Sequence, residues 1–282
     1  MAAEMRKLGE HLELCSINTA TLGFQAPIET VIDEIARAGF GGIAPWRREI
    51  EGGSIEAIAT RIRDAGLKVN AYCRSTYLPA NSRPAFDKNV ADNISALTDA
   101  SVLGAETFTL VVGSLPENSK NISAAREQVA DAIVQLLKHA HKVGVKLSLE
   151  PLHPVYAADR SCITLLSEAL DICDSINDPM LGVCIDAYHV WWDPNLLRDI
   201  ARAKDRIFNF HVSDWLMPTR DVLNDRGMMG DGIIDLPGLR GMIEAAGYNG
   251  FIETEIFSAE NWWKRPIAEI LGVVKERLSR ST

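Results

Sequence analysis

The stretch LGVCIDAYHVWW, residues 181–192, begins with an apolar run that predicts a buried β-strand over 181–186. The apolar run ends at Asp186, and His189 follows three residues later, just before Trp191 and Trp192. A carboxylate and an imidazole are side chains that bind metal ions and polar substrates. The stretch therefore indicates a buried strand that presents polar, chemically active groups at its carboxyl end.

Strand patterns and amphipathic helical patterns alternate along the rest of the chain. In the first helical pattern, Ile28, Val31 and Ile35 recur at helical spacing. The predicted strands span residues 12–16, 40–45, 67–73, 106–112, 145–150, 181–186, 206–212 and 250–257. The predicted helices span residues 27–38, 54–65, 88–103, 123–143, 161–175, 195–203, 236–246 and 265–279. This alternation predicts an α/β protein, a single (β/α)8 TIM-barrel domain over residues 1–282. An open doubly wound sheet is the alternative, but no glycine-rich phosphate loop supports it.

Composition bounds the class of protein. The 282 residues are 47% hydrophobic and 24% charged, which is typical of a globular protein. The formal net charge is -9 with scattered basic residues, so we expect neither nucleic acid nor a membrane surface as a partner. No signal peptide or membrane span is apparent, and the cytoplasm is the expected location. Five cysteines without a CxxC pair argue against disulfides and a structural zinc cluster.

Side-chain alternation brings polar residues of the late strands to one place. Residues two apart share a strand face, so in VKLSLE (145–150) the leucines 147 and 149 should face the helices and Glu150 the barrel interior. The same rule assigns inward-facing pairs to four strands: Ser148 and Glu150, Cys184 and Asp186, Asn209 and His211, Glu253 and Glu255. The carboxyl ends of such strands are where TIM barrels build their active sites.

The expected cluster of Glu150, Asp186, His211 and Glu255 requires a compensating charge. Three carboxylates that converge in a partly desolvated site repel one another unless they take up protons or bind a cation. Three oxygen donors and one imidazole suit a divalent ion, with Mn²⁺ as the first candidate and Mg²⁺, Co²⁺ or Zn²⁺ as alternatives. Two coordination positions stay open for substrate, which indicates catalysis instead of a structural site.

Five segments of the chain resemble the sugar phosphate isomerase/epimerase family of xylose-isomerase-like TIM barrels. They are LEP (149–151), DAYH (186–189), FHVSD (210–214), RGMMGDGIIDLPGL (226–239) and GYNGFIETEIF (247–257). The family includes ketose 3-epimerases, hydroxypyruvate isomerase and inosose dehydratase. The resemblance implies a metal held by Glu150, Asp186, His211 and Glu255, the residues that alternation selects. It further implies a dimer or tetramer and a sugar substrate whose oxygens His189 and Arg226 contact.

The sequence departs from this pattern beside the substrate. Some ketose epimerases carry a second glutamate six residues after the first ligand, where this chain has Tyr156, and His153 lies between the two positions. We interpret His153 and Trp46 as substrate-binding. Further candidates for an aromatic and cationic pocket wall, or for a core or oligomer contact, are Arg47, Arg74, Trp191, Trp192, Trp215 and Trp262.

Two acidic residues are ambiguous. Asp214 either orients a metal ligand or caps a turn. Glu253 shares a face with Glu255, and an exchange of roles between the two stays open.

The resulting hypothesis is a divalent-metal-dependent isomerase or epimerase of a keto sugar or related polyol. The metal would stabilise an enediolate, and Glu150 and Glu255 would be the acid/base pair. The alternative is a metal-dependent lyase or dehydratase acting on a 3-keto sugar or inosose, including cleavage of C-glycosides. A DNA-repair endonuclease of the same barrel type is a remote alternative, because it needs further histidines at the early strand ends. A metal-holding protein without turnover is another.

Overall fold

The computed structural model describes residues 5–282, and nine strands of this region form one sheet. Every neighbouring strand pair runs parallel. The strands are β1 Cys15–Asn18, β2 Gly42–Ala44, β3 Lys68–Val69, β4 Ala71–Tyr72, β5 Thr107–Leu110, β6 Lys146–Leu149, β7 Leu181–Asp186, β8 Ile207–Val212 and β9 Ile252–Thr254.

The sheet closes into a barrel at the predicted third strand. This segment forms two short strands, β3 and β4, that are separated by Asn70. β3 pairs with β2 and β4 pairs with β5, so the strand order is β3-β2-β1-β9-β8-β7-β6-β5-β4. At this seam the Asn70 amide donates to the Ile43 carbonyl at 3.3 Å, and the Glu106 amide donates to the Val69 carbonyl at 3.0 Å. The predicted TIM-barrel fold is thereby confirmed.

Helices follow the strands around the outside of the barrel. They are α1 Ile28–Ala38, α2 Arg47–Ile50, α3 Ile55–Asp64, α4 Arg83–Leu103, α5 Ile122–Val143, α6 Leu166–Ile176, α7 Ala187–Val190, α8 Leu196–Ala203, α9 Leu236–Ala245 and α10 Ile267–Arg280. Local chemistry determines their ends. The Asn121 side chain accepts a hydrogen bond from the Ala124 amide at the start of α5, and Gly144 ends the helix with φ 74°.

The first predicted strand, residues 12–16, is wrong in its position. Leu12–Leu14 form a 3-10 helix, and β1 begins at Cys15. Leu12 is buried and Glu13 is exposed, so this short helix imitates the alternation of a strand. The position of β1 depends instead on long-range pairing, because Ser16 lies opposite Gly42 of β2 and opposite residue 253 of β9.

The two faces of the barrel sheet differ in polarity. The face toward the helices contributes to the main apolar core through Ile17, Ile43, Phe108, Leu149, Ile185 and Phe210. The other face carries buried polar residues: Ser16, Asn70, Thr107, Ser148 and Asn209. Apolar burial outside the sheet supplies most of the stabilisation, and the polar interior provides hydrogen bonds for charged groups. Within residues 5–282, no helix has the length and apolarity to cross a membrane.

Candidate active site

Four buried side chains meet at the carboxyl ends of β6 to β9. One ligand atom each of Glu150, Asp186, His211 and Glu255 lies within 4.8 Å of the other three. His211 Nδ1 is 3.4 Å from Glu150 Oε1 and 3.6 Å from Glu255 Oε2. The structure therefore brings together the four residues that alternation selects, and their role as metal ligands stays a prediction.

Strand register determines this convergence. Asp186 of β7 lies opposite His211 of β8, and His211 lies opposite Glu253 of β9. Asp186 also begins α7, because its Oδ1 accepts a hydrogen bond from the Tyr188 amide at 2.9 Å. This cap fixes the carboxylate at the strand end and leaves Oδ2 directed at the cluster.

Arg226, from the loop before α9, neutralises part of the charge. Its Nη1 donates to Asp186 Oδ2 at 2.8 Å and to Glu255 Oε2 at 3.1 Å. Burial alone would raise the pKa of Glu255, but the charges of His211 and Arg226 lower it. Burial raises the pKa of Glu150 to about 7, against the hydrogen bond from His211. The two glutamates thus have different proton affinities in one cluster.

The donor set fits a divalent cation. Four carboxylates, including Glu253, are buried with one guanidinium and the imidazole of His211. Such an excess of buried negative charge is costly unless a cation offsets it. Opposite ligands of a bound Mg²⁺ are about 4.2 Å apart, so the observed spacing needs only small movements to surround one ion. Three oxygens and one imidazole are donors that Mn²⁺, Mg²⁺, Co²⁺ and Zn²⁺ accept.

Glu253 lies one layer below the cluster. Its Oε1 is 3.3 Å from His211 Nε2, the ring nitrogen that faces away from Glu150. Asn18 Nδ2 donates to Glu253 Oε1 at 2.8 Å and to Glu255 Oε1 at 3.0 Å. The side-chain amide of Asn70 also donates to Glu253. The structure thus gives the two glutamates different places: Glu255 faces the cluster, and Glu253 supports the histidine beneath it.

His189 and Arg226 lie together above the cluster. His189 Nε2 is 3.3 Å from Arg226 Nη2 and 3.5 Å from Asp186 Oδ2. Burial lowers the pKa of His189 to about 3, so its ring is neutral near pH 7. Its Nδ1 is buried and has no hydrogen-bond partner within residues 5–282. Both side chains line the cavity described below, and their predicted contacts with substrate oxygens stay predictions.

A cavity of about 310 Å³ opens directly over Glu150 and Glu255. Small-molecule sites typically begin at about this size. The predicted substrate-binding residue Trp46 lines the cavity, and Arg74 lies beside it. Further aromatic side chains in the wall are Phe24, Tyr77, Tyr156, Phe257 and Trp263. Such flat apolar surfaces suit the CH faces of a sugar.

His153 lies apart from these residues. Within residues 5–282, the residues that line the cavity do not include His153. Its ring packs against Trp215 with centroids 4.9 Å apart and against Trp192 at 5.5 Å. Trp192 Nε1 donates to the His189 carbonyl at 2.8 Å, which holds the short helix α7 in place. The ring of Trp191 packs against Trp215 with centroids 5.8 Å apart, and the cavity lining within residues 5–282 includes neither Trp191 nor Trp192. The substrate-binding role of His153 stays a prediction.

Asp214 caps a turn in the loop after β8. Its carboxylate accepts hydrogen bonds from the amides of Gly230, Gly232 and Ile234 at 2.8 to 3.0 Å. These bonds shape the segment that begins at Arg226. Of the two alternatives for Asp214, the turn cap is the one that the geometry supports.

Asn18 and Trp263 are site residues that the sequence interpretation missed. Asn18 bridges Glu253 of β9 and Glu255 just after it, and its Oδ1 accepts a hydrogen bond from Trp46 Nε1 at 2.7 Å. The misplaced first strand hid it, because alternation from Cys15 onward would have directed Ser16 and Asn18 into the barrel. Trp263 comes from the loop after β9, and no local pattern marks its return to the cavity.

Comparisons with known proteins agree with this architecture. A model of the family described as xylose isomerase-like TIM barrel matches residues 32–276. An inosose isomerase of Bacillus licheniformis is 26% identical over 152 residues, which are 52% of this chain and 52% of that protein. The chain spans about half the length of the curated relatives that it matches.

Two solved structures extend the comparison. Protein SMc04130 from Sinorhizobium meliloti 1021 is 47% identical, and the match covers 96% of this chain and 98% of that chain with a TM-score of 0.93. The IolI protein with a bound zinc atom is 17% identical, with a TM-score of 0.83 over 95% of this chain and 99% of that chain. The second likeness is one of fold.

Proposed function

The chain belongs to the xylose isomerase-like TIM barrel family, and from this premise we propose that it is a divalent-metal-dependent isomerase or epimerase of a keto sugar or related polyol. One observation carries the proposal. Glu150 and Glu255 line the cavity and belong to the same buried cluster as Asp186 and His211, at the barrel end where this fold builds active sites.

A bound divalent cation, for which Mn²⁺ is our first candidate, would polarise a sugar carbonyl and the hydroxyl next to it, and so make the intervening C–H more acidic. The residues that would hold it are Glu150, Asp186, His211 and Glu255. The buried excess of carboxylates supports this assignment.

Proton transfer falls to the two glutamates that face the cavity. One carboxylate accepts the proton from carbon, and the other, or the same one, returns it. Return to the opposite face of the same carbon inverts it, which is epimerisation. Return to the neighbouring carbon exchanges aldose and ketose. Asn18 and Arg226 hold the two oxygens of Glu255 and so fix the direction in which it faces.

Substrate orientation falls to the polar groups above the glutamates. The neutral imidazole of His189 and the guanidinium of Arg226 both line the cavity and can bind hydroxyl or carbonyl oxygens. The endonuclease alternative would need further metal-binding histidines on the early strands, and the cavity lining there consists of residues such as Trp46, Arg74 and Thr109.

The test is proton exchange with solvent. Protein loaded with Mn²⁺ is incubated in D2O with a panel of keto sugars and inososes, and the products are followed by NMR. We expect deuterium at the carbon next to the carbonyl of a retained sugar, and no label with metal-free protein. Release of a substituent with formation of a C=C bond would instead establish the lyase alternative. Absence of exchange with every compound and metal would refute the proposal.

A further inference from the structure

Four arginines line the cavity. Besides Arg226, the wall includes Arg48, Arg74 and Arg160. Arg226 is paired with Asp186 and Glu255, and Arg160 lies 3.8 Å from its neighbour Asp159. In contrast, Arg48 and Arg74 form no ion pair with any carboxylate of residues 5–282.

Aromatic faces hold these two free guanidinium groups. Arg74 lies 4.9 Å from the centroid of Tyr77 and 6.0 Å from that of Trp46, and Arg48 lies 3.9 Å from that of Phe24. Within the described chain, Arg74 makes one side-chain hydrogen bond, to the Ser75 carbonyl at 3.3 Å. These cation–π contacts hold the two guanidinium groups near the aromatic rings and leave most of their N–H donors unused.

The neighbouring Arg47 behaves differently. Its Nη1 donates to Asp92 at 2.9 Å and to Thr76 at 3.1 Å, so its charge is already paired. The chain also has an excess of acidic residues, 38 against 29 basic ones. The chain as a whole is thus negatively charged, but Arg48 and Arg74 place unpaired positive charge at the cavity. This local positive charge favours a negatively charged ligand there.

Arg48 and Arg74 lie where the cavity adjoins an outer groove. Both residues and Trp46 line the cavity over Glu150, and the same three line an adjoining outer groove. A molecule whose reacting carbon lies over the glutamates would therefore direct its far end toward these arginines.

We propose that Arg74 and Arg48 form an oxyanion subsite, and that the substrate is a keto sugar or polyol that carries a carboxylate or a phosphate at the end remote from its carbonyl. Guanidinium groups bind both kinds of oxyanion through paired N–H donors. The proposal rests on the proposed function, because the reacting end of the substrate must reach Glu150 and Glu255.

Calorimetric binding to the Mn²⁺-loaded protein tests the subsite. The probes are D-fructose, D-fructose 6-phosphate and D-fructuronate, which separate a neutral ligand from a phosphate and a carboxylate. We expect one anionic probe to bind about tenfold to hundredfold more tightly than fructose. The substitution Arg74→Gln should remove this preference, and Arg74→Lys should retain part of it because the charge remains. Arg63→Gln, at an exposed arginine of α3, is the matched control and should retain all of it.

Equal affinity for the three probes would overturn the proposal, as would a preference that survives in Arg74→Gln, since phosphate would then be bound elsewhere. The solvent-exchange experiment keeps the two proposals apart. Anion preference without deuterium incorporation would remove the isomerase assignment and leave the subsite. Deuterium incorporation without anion preference would remove the subsite and leave the isomerase assignment.

Discussion

The two sides of the barrel contribute different chemistry to one cavity. At the carboxyl ends of β6 to β9, four carboxylates and an imidazole lie at or beneath the cavity floor, including Glu150, Asp186 and Glu255. The strand ends from β1 to β5 supply neutral donors, aromatic rings and free guanidinium groups, including Asn18, Trp46 and Arg74. The charged groups that we propose for metal binding and proton transfer thus lie on one side, and the groups that we propose for recognition and alignment lie on the other.

The separation has a physical basis. Carboxylates close enough to hold one cation must come from neighbouring strands, because adjacent parallel strands are about 4.8 Å apart. A substrate that spans the barrel then meets the opposite side with its remaining groups. Changes among the carboxylates should therefore affect metal binding and the chemical step, and changes on the opposite side should affect alignment and affinity.

Metal removal should have the largest effect, because it removes the cation that offsets the charges of Glu150, Asp186 and Glu255. We expect chelation to abolish turnover and Mn²⁺ to restore it. Metal at 100 times its Kd should also stabilise the fold by about 2.7 kcal/mol. Elemental analysis, activity assays and thermal unfolding measure these effects. Full activity of metal-free protein would contradict the assignment.

Substitution of either glutamate of the proposed acid/base pair should have the second largest effect. Glu150→Gln and Glu255→Gln should each lower kcat by about 10² to 10⁴-fold at saturating Mn²⁺, because the amide cannot exchange a proton with carbon. Circular dichroism should show an unchanged fold. Glu106→Gln is the matched control, since Glu106 is exposed just before β5 at the opposite end of the barrel. Turnover like that of the parent protein in either variant would exclude that glutamate from the acid/base pair.

The β6 to β9 side was also the more predictable from sequence. The convergence of Glu150, Asp186 and His211 depends on strand alternation and on the shared edge of parallel strands, and both are local rules. These rules predict the barrel and the charged cluster. They do not separate Glu255 from Glu253, because both side chains face inward. The two glutamates differ only in their level along the barrel axis.

The β1 to β5 side depended on information that no local pattern carries. The register of β1 is determined by its neighbours, so its ends were misplaced and Asn18 was missed. The division of the third predicted strand at Asn70 follows from closure of the barrel. The loops of the β6 to β9 side share this difficulty, because Trp263, Arg226 and His153 take positions that depend on loop conformation and long-range packing.

The buried pair of Glu253 and His211 gives a smaller expected effect. Glu253→Gln should weaken Mn²⁺ binding by about tenfold to hundredfold, because the carboxylate facing His211 Nε2 orients the ring and raises its basicity. Calorimetric titration with Mn²⁺ measures this directly. Glu168→Gln, at a partly buried glutamate paired with Arg126, is the control. Unchanged metal affinity in Glu253→Gln would show that the ring is held without the carboxylate.

The smallest effect should come from the opposite side of the barrel. Trp46→Phe keeps an aromatic ring but removes the Nε1 donor that holds Asn18, whose amide aligns Glu255. We expect kcat/KM to fall by about twofold to tenfold, the value of one hydrogen bond, since the Ala20 amide still holds Asn18 Oδ1. Trp263→Phe is the matched control, because its Nε1 donates to the Ala20 carbonyl and not to Asn18. If both variants lost activity equally, the two indole rings would act by packing alone. The hydrogen bond from Trp46 to Asn18 would then have no part in the alignment of Glu255, which would depend on the β6 to β9 side.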